Sequence, residues 1–278
     1  MKDRIVSAAL ELGFSEAHIV WDDGCAALLL VWGYVPHRLG ERIPAYYLAS
    51  NAMYGARKAL QARLDAMGVR VSDAPERLKS LFCRHGIAEE CKNGLVSVGA
   101  FGTRAVLCAL RLEHFDACEV AAPAAAARGN PSCTNCGACA RACPGGAISE
   151  DGVDYSKCIR ARMSGAEHPI ELFDVLTTHM GCEVCQAVCP LNAGVGFREP
   201  PADVRRAFEL ERLLAGDTRA ARELVGPNKT GNGKLTSEAI AFAAREGGFE
   251  PQIAACLDSP FEAVRKVARF ALDNPAAR

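Results

Sequence analysis

Cysteine spacing constrains this chain more than any other feature. Eight of its 14 cysteines fall in one block: Cys133, Cys136, Cys139 and Cys143-Pro144, then an isolated Cys158, then Cys182, Cys185 and Cys189-Pro190. A cubane 4Fe-4S cluster needs four thiolates on its corners, and three cysteines at two-residue gaps can wrap three of them. The fourth must come from elsewhere, and in two-cluster proteins the cysteine before proline reaches across to the other cluster. The pattern predicts two 4Fe-4S clusters, one on Cys133, Cys136, Cys139 and Cys189, the other on Cys143, Cys158, Cys182 and Cys185.

Other uses of these cysteines fit less well. Zinc sites pair their cysteines across longer stretches, and a run of three at two-residue gaps crowds two independent tetrahedra. A disulfide framework suits a short secreted chain. This one has 278 residues and opens Met-Lys-Asp-Arg-Ile, without a signal-peptide pattern. A reducing, cytoplasmic compartment is therefore expected. Clusters can also act as structural staples, but two of them joined by crossed ligands favour electron conduction. The strongest apolar run, residues 25–35, is far below the roughly 20 residues of a membrane span, so no membrane association is expected. A net charge of −1 gives no global basic field for nucleic acid.

The length exceeds that of one compact domain. Ile5, Val6, Ala9 and Leu10 share a helical stripe that Gly13 ends. Residues 25–32 form a continuous apolar run between Gly24 and Gly33, the pattern of a buried strand. A long helix is expected over 44–67, a short strand over 69–71, the turn Ser72-Asp73-Ala74-Pro75, a helix over 76–84, and strands over 95–98 and 105–112. Strands interleaved with helices predict an α/β domain over 1–128 within an α+β protein. The alanine-rich stretch 121–129 reads as a connector into a ferredoxin-like double-cluster domain over 129–200. Helical patterns at 202–214, 237–245, 251–257 and 261–272 predict a small HEAT-like helical domain over 201–278.

The segments Cys136-Gly-Ala-Cys139-Ala-Arg-Ala-Cys143-Pro-Gly-Gly-Ala-Ile148 and Gly181-Cys-Glu-Val-Cys-Gln-Ala-Val-Cys-Pro-Leu-Asn192 resemble the cluster region of the epoxyqueuosine reductases. These are cobalamin-dependent iron–sulfur enzymes of queuosine biosynthesis in tRNA. The isolated Cys158 and the split second run, unusual among ferredoxins, make the likeness specific. Upstream, the strand ending in Tyr34-Val-Pro36, then Gly86, Lys92-Asn93 and Phe101-Gly102-Thr103, look like that family's landmarks, and the tail looks like its helical extension. The resemblance implies an N-terminal domain related to corrinoid- and flavin-binding reductases. It also implies a cobalamin or flavin in a pocket near Tyr34, Asp73, Lys92 and Asn93, supplied by a low-potential donor of the ferredoxin or flavodoxin type.

The sequence also departs from that family. Ser72 stands where the family has the aspartate proposed as proton donor, and Asp73 follows one residue later, on the other face of an extended segment. Leu78 replaces a glutamate, Asn51-Ala52-Met53 replace Asp-Tyr-His, and the chain is short between Ile19 and Gly24. The expectation is an iron–sulfur redox protein that relays electrons to a cofactor or substrate in its N-terminal domain, without the family's catalytic aspartate. Two alternatives stay open: a functional epoxyqueuosine reductase acting on tRNA, and a ferredoxin-like carrier whose first domain only docks a partner. The substrate is then a small molecule or a tRNA.

Several features have plainer readings. Cys25, Cys83, Cys91, Cys108, Cys118 and Cys256 lie outside the cluster motifs and are expected as small buried hydrophobes, with Cys91 the leading exception. His168 and His179 are expected at the surface or in hydrogen bonds. The stretch Gly226-Pro-Asn-Lys-Thr-Gly231-Asn-Gly-Lys234 fails phosphate-loop spacing and reads as a flexible turn. Arg205, Arg206, Arg212, Arg219 and Arg222 alternate with Glu209, Glu211, Asp217 and Glu223, the pattern of a solvated helix surface.

Overall fold

A computed structural model of the chain describes residues 1–38, 40–74, 77–115, 120, 133–164 and 170–274. The backbone divides into two compact units. Unit 1 comprises Met1–Pro36, Ala49–Ala138 and Val188–Gly196, and unit 2 comprises His37–Leu48, Cys139–Ala187 and Phe197–Arg278.

Unit 1 contains α1 (Lys2–Glu11), β1 (Glu16–Asp22), β2 (Cys25–Gly33), most of α2 (Ala45–Ala66), β3 (Val71–Asp73), α3 (Leu78–Arg84), β4 (Glu89–Glu90), β5 (Val96–Ser97) and β6 (Ala105–Leu112). Its main sheet has the order β1-β2-β6-β3 with antiparallel neighbours, and β4 and β5 form a separate hairpin. The continuous apolar run of β2 is explained by burial on both faces. Ala26, Leu28 and Leu30 join Cys108, Leu110 and Leu112 of β6 against Ile5 and Ala8 of α1 and Leu60 and Leu64 of α2. Ala27, Leu29 and Val31 point the other way, with Ala109, toward Leu81 and Phe82 of α3 and Val96 of β5. The period of two along each strand thus feeds two cores from one sheet.

Strand β1 was not expected from the sequence. Asp23-Gly24 makes a two-residue hairpin in which Asp22 faces Cys25, and both turn residues have positive φ, 47° and 81°. An Asp-Gly pair before an apolar run is the hairpin signal that would have found it. The short strand expected over 69–71 lies instead at Val71–Asp73, because Val71 pairs with Leu112 and so sets the register. The connector at 121–129 lies outside the described residues.

Unit 2 holds most of α4 (Ala138–Ala142), the hairpin β7 (Ile148–Ser149) and β8 (Gly152–Val153), α5 (Ile159–Arg162) and α6 (Val184–Ala187). It also holds α7 (Ala202–Ala207), α8 (Leu210–Leu214), α9 (Arg219–Val225), α10 (Pro227–Thr230), α11 (Lys234–Glu246), α12 (Glu250–Ala255) and α13 (Glu262–Asp273). Its central helix is α11, buried at every position from Lys234 to Ala243 and packed on α8 and α13. The helix expected over 202–214 is broken into α7 and α8, where buried Phe208 leaves helical geometry and joins the core. The stretch read as a flexible turn is ordered: Pro227 opens α10, a 3-10 turn spans Gly231–Gly233, and Thr230 and Lys234 are buried.

Candidate iron–sulfur centres

Within unit 2, Cys143, Cys158, Cys182 and Cys185 lie near enough to influence one another electrostatically, although among the described residues no three His, Cys, Asp or Glu side chains close on a site for a metal ion. Gly145 is the hinge of this arrangement. A Cβ there would lie 2.2 Å from the Lys157 carbonyl oxygen, so only glycine lets the loop after Cys143 press on the backbone just before Cys158. The Ala147 amide donates to Cys143 Sγ at 3.3 Å, and Asp154 N donates to Ala147 O at 2.8 Å, which ties the β7–β8 hairpin to that loop. Burial raises the Cys182 thiol, and the neighbouring Cys143 and Cys158 sulfurs add to it. Cys185 is pushed up to about 12, first by burial and then by Cys182, with Arg160 opposing and Cys158 and Cys139 adding. Crowded, buried thiols that resist ionisation suit iron binding, because the metal supplies the missing positive charge. The donor type, cysteine sulfur, therefore fits an iron–sulfur cluster, while the sulfurs as placed do not close on a metal-sized site.

Cys133, Cys136 and Cys189 belong to unit 1, and Cys139 begins unit 2. Cys189 precedes a 3-10 turn, Pro190–Asn192, that is clamped to the loop before β6. Asn192 Oδ1 accepts from Thr103 N at 2.7 Å and its Nδ2 donates to Thr103 Oγ1 at 2.9 Å. Gly102, with φ of 53°, has no room for a Cβ: Asn192 Oδ1 would be 2.3 Å away and Leu191 O 2.4 Å. The Phe101-Gly102-Thr103 landmark is thus the seat of the Cys189 turn. Cys91, at the β4–β5 hairpin, has its thiol raised to about 11 by burial, with Cys133 and Cys189 contributing in the same direction. Among the described cysteines outside the motifs, Cys91 is the one whose thiol feels motif sulfurs.

The four residues expected near a second cofactor all lie in unit 1. Tyr34 is buried, with its ring 6.0 Å from the guanidinium of buried Arg104. Lys92 and Asn93 follow Cys91 in the hairpin turn. Asn93 Oδ1 accepts from Leu95 N at 3.1 Å, while its buried Nδ2 has no hydrogen-bond partner. Asp73 is ion-paired with Arg57 of α2, its side chain 75 % exposed. It also lies close enough to Cys108, in the α1/α2-side core, to raise that thiol. Asp73 therefore looks toward α2, and Ser72, paired with Arg111, takes the other face.

Sequence reasoning missed the brace behind Cys158 and Cys182. One helical turn apart on α11, Lys234 Nζ donates to Met163 O and Glu238 Oε2 accepts from Met180 N at 2.9 Å. Glu238 is completely buried and its Oε1 has no partner among the described residues; burial raises its carboxyl pKa against the opposing pull of Lys234, the Met180 amide and Lys229. Nothing in the apolar helical pattern signals this pair. His179 is a correction. Rather than lying at the surface or in ring hydrogen bonds, it is fully buried, and neither ring nitrogen has a hydrogen-bond partner among the described residues. It stacks 5.9 Å from Phe208 and sits edge-on 4.6 Å from Phe242. Burial, then Arg42 and Arg245, lowers its pKa to about 3 and keeps it neutral. Cys108 and Cys256 are buried as expected, Cys25 and Cys83 only half-buried, and Cys118 and His168 lie outside the described residues.

Residues 132–192 match a 4Fe-4S double cluster binding domain. Over 160 residues the chain is 30 % identical to the epoxyqueuosine reductase of Listeria monocytogenes, covering 52 % of this chain and 42 % of that protein. The chain thus spans less than half the length of the curated relative it matches. The epoxyqueuosine reductase of Streptococcus thermophilus superposes with a TM-score of 0.74 at 16 % identity, over 100 % of this chain and 91 % of that one. That of Bacillus subtilis, solved with its aspartate-bearing catalytic loop swung out of the active site, superposes with a TM-score of 0.72 at 17 % identity, over 99 % and 90 %. Among the described residues no helix is long and apolar enough to cross a membrane. The chain thus carries a match to a 4Fe-4S double cluster binding domain, is similar in sequence to an epoxyqueuosine reductase over part of that protein's length, and shares the fold of two others.

Proposed function

We propose that the chain is a cytoplasmic oxidoreductase that holds two 4Fe-4S clusters and relays single electrons to a cofactor or substrate bound in unit 1. One cluster is held by Cys133, Cys136, Cys139 and Cys189, the other by Cys143, Cys158, Cys182 and Cys185. The observation that carries this reading is the match of residues 132–192, which hold all eight of these cysteines, to a 4Fe-4S double cluster binding domain, and the close approach of Gly145 to Lys157 beside Cys143 and Cys158 supports it. The clusters would supply one-electron steps at low potential. The chain's own part is to fix the thiolates, exclude water from Cys182 and Cys185, and brace the loops through Lys234 and Glu238. The electrons come from a low-potential donor of the ferredoxin or flavodoxin type.

The acceptor is a corrinoid or flavin bound near Tyr34, Lys92 and Asn93. Asp73 takes no part as proton donor, because Arg57 holds it toward α2. The protein is then a reductase of this family that has departed from the epoxyqueuosine reaction. Anaerobic iron analysis of the reconstituted chain is expected to give about eight irons, and about four would refute the ligand assignment. Incubation with cobalamin and an anticodon stem-loop bearing epoxyqueuosine is expected to give no queuosine; conversion would establish the tRNA reaction instead. Two reducible clusters with no affinity for corrinoid or flavin would favour an electron carrier.

A further inference from the structure

The helical part of unit 2 contains a cavity of about 730 Å³ that the redox reading does not use. Its size suits a mononucleotide-sized ligand. Gly233 and Thr236 line it, so it opens at the N-terminus of α11, a 13-residue helix whose first turn no side chain caps. Such an end carries about half a positive charge, and apart from the Lys234 amide, which donates to Gly231 O, the amides of its first turn have no partner within the helix. Thr236 is 6 % exposed and lines the cavity, and its hydroxyl makes no hydrogen bond among the described residues. Arg222 reaches the same cavity from α9. Arg212 and Arg219 are both tied to Asp217, whereas Arg222 is in no ion pair among the described residues.

Together these groups have the chemistry to hold an oxyanion. Asp258 also lines the cavity, and it disfavours a bare anion while offering an acceptor to a hydroxyl. Phe261 and Val264 supply an apolar wall. We propose that this cavity binds a small hydroxyl-bearing phosphate monoester, its phosphate held by Arg222, Thr236 and the first turn of α11, and a sugar hydroxyl by Asp258. The site is independent of the clusters and stands whether or not the redox reading does.

Isothermal titration of the reconstituted full chain with ribose 5-phosphate, AMP, adenosine and inorganic phosphate tests this. Both esters are expected to bind, adenosine not, and inorganic phosphate more weakly than the esters. Arg222→Ala should weaken ester binding about tenfold and the near-isosteric Thr236→Val about threefold. Asp258→Asn should tighten inorganic phosphate and weaken ribose 5-phosphate. Arg219→Ala, outside the cavity, should change nothing. The proposal is overturned if neither ester binds, or if Arg222→Ala and Thr236→Val bind as the native chain does. It is equally overturned if a short RNA without terminal phosphates binds through Arg222 while the monoesters fail.

Discussion

Replacing Gly145 with alanine is the sharpest test of how the second cysteine group is assembled. The added Cβ would stand 2.2 Å from the Lys157 carbonyl oxygen, about 1.2 Å inside the ordinary contact limit of 3.4 Å. The clashing atom belongs to backbone, so no side-chain rotation relieves it. Overpacking of this kind costs about 1–3 kcal/mol when the surroundings can shift. Here the shift must part the loop after Cys143 from the segment before Cys158, and that opens the thiolate set itself. Gly146→Ala is the control. Its φ of 59° makes alanine cost about 1–2 kcal/mol in backbone strain, but nothing lies within 4 Å of the new Cβ. The two variants should therefore lose comparable stability and differ in metal. After anaerobic reconstitution, Gly145→Ala should hold about four irons and show the reduced spectrum of one cluster, and Gly146→Ala about eight. A Gly145→Ala protein with the full iron content and an unchanged spectrum would refute the reasoning.

Other outcomes follow from the braces and buried groups. Asn192→Ala leaves Thr103 N without its acceptor and should cost about 1–3 kcal/mol; iron should be lost from the cluster that includes Cys189, read as a fall in iron per chain with the other cluster's signal intact. Burial lowers the His179 pKa to about 3, below the ordinary 6.5 of an exposed imidazole, so its contribution is present above about pH 6.5 and is lost as pH falls toward 3. Between pH 6.5 and 5 this amounts to about 2 kcal/mol, and thermal unfolding of His179→Leu at those pH values should show that part of the slope removed. Glu238 is shifted the other way. An acid raised by burial has no effect while both states are protonated and destabilises increasingly as pH climbs from its unfolded value toward its folded one. Glu238→Gln keeps an acceptor for Met180 N and should flatten that dependence near neutral pH, whereas Glu238→Leu should lower the unfolding midpoint and the iron content.

Much of the fold was legible in the sequence. The apolar runs of β2 and β6 declare strands buried on both faces, and α1, α2 and α13 follow their helical stripes closely, because these patterns are local. Strand β1 was missed although Asp23-Gly24 signalled its hairpin: a half-buried strand with His18 and Asp22 among its apolar residues shows no clean alternation. The turn expected at 226–234 became helix for a reason no local pattern carries, since burial in the unit 2 core and the bond from Lys234 to Met163 override the glycines. The exposed arginines behaved largely as expected, with Arg205, Arg212 and Arg219 in surface ion pairs worth little each.

The sequence by itself determined the ligand chemistry, since cysteine spacing along a chain limits how few residues can wrap a cubane. It also determined much of the strand-and-helix order of unit 1, though not β1 or β4, and most of the helical tail, through periodicities of two and 3.6 that act within a few residues. Only the tertiary structure decided what braces the cysteines: Lys157 against Gly145, Thr103 on Asn192, and Lys234 and Glu238 behind Met163 and Met180. It alone turned Asp73 toward Arg57 and buried His179 between two phenylalanines. Each of these is a contact between segments distant in sequence, fixed by steric fit and by the cost of leaving a buried polar group unpaired.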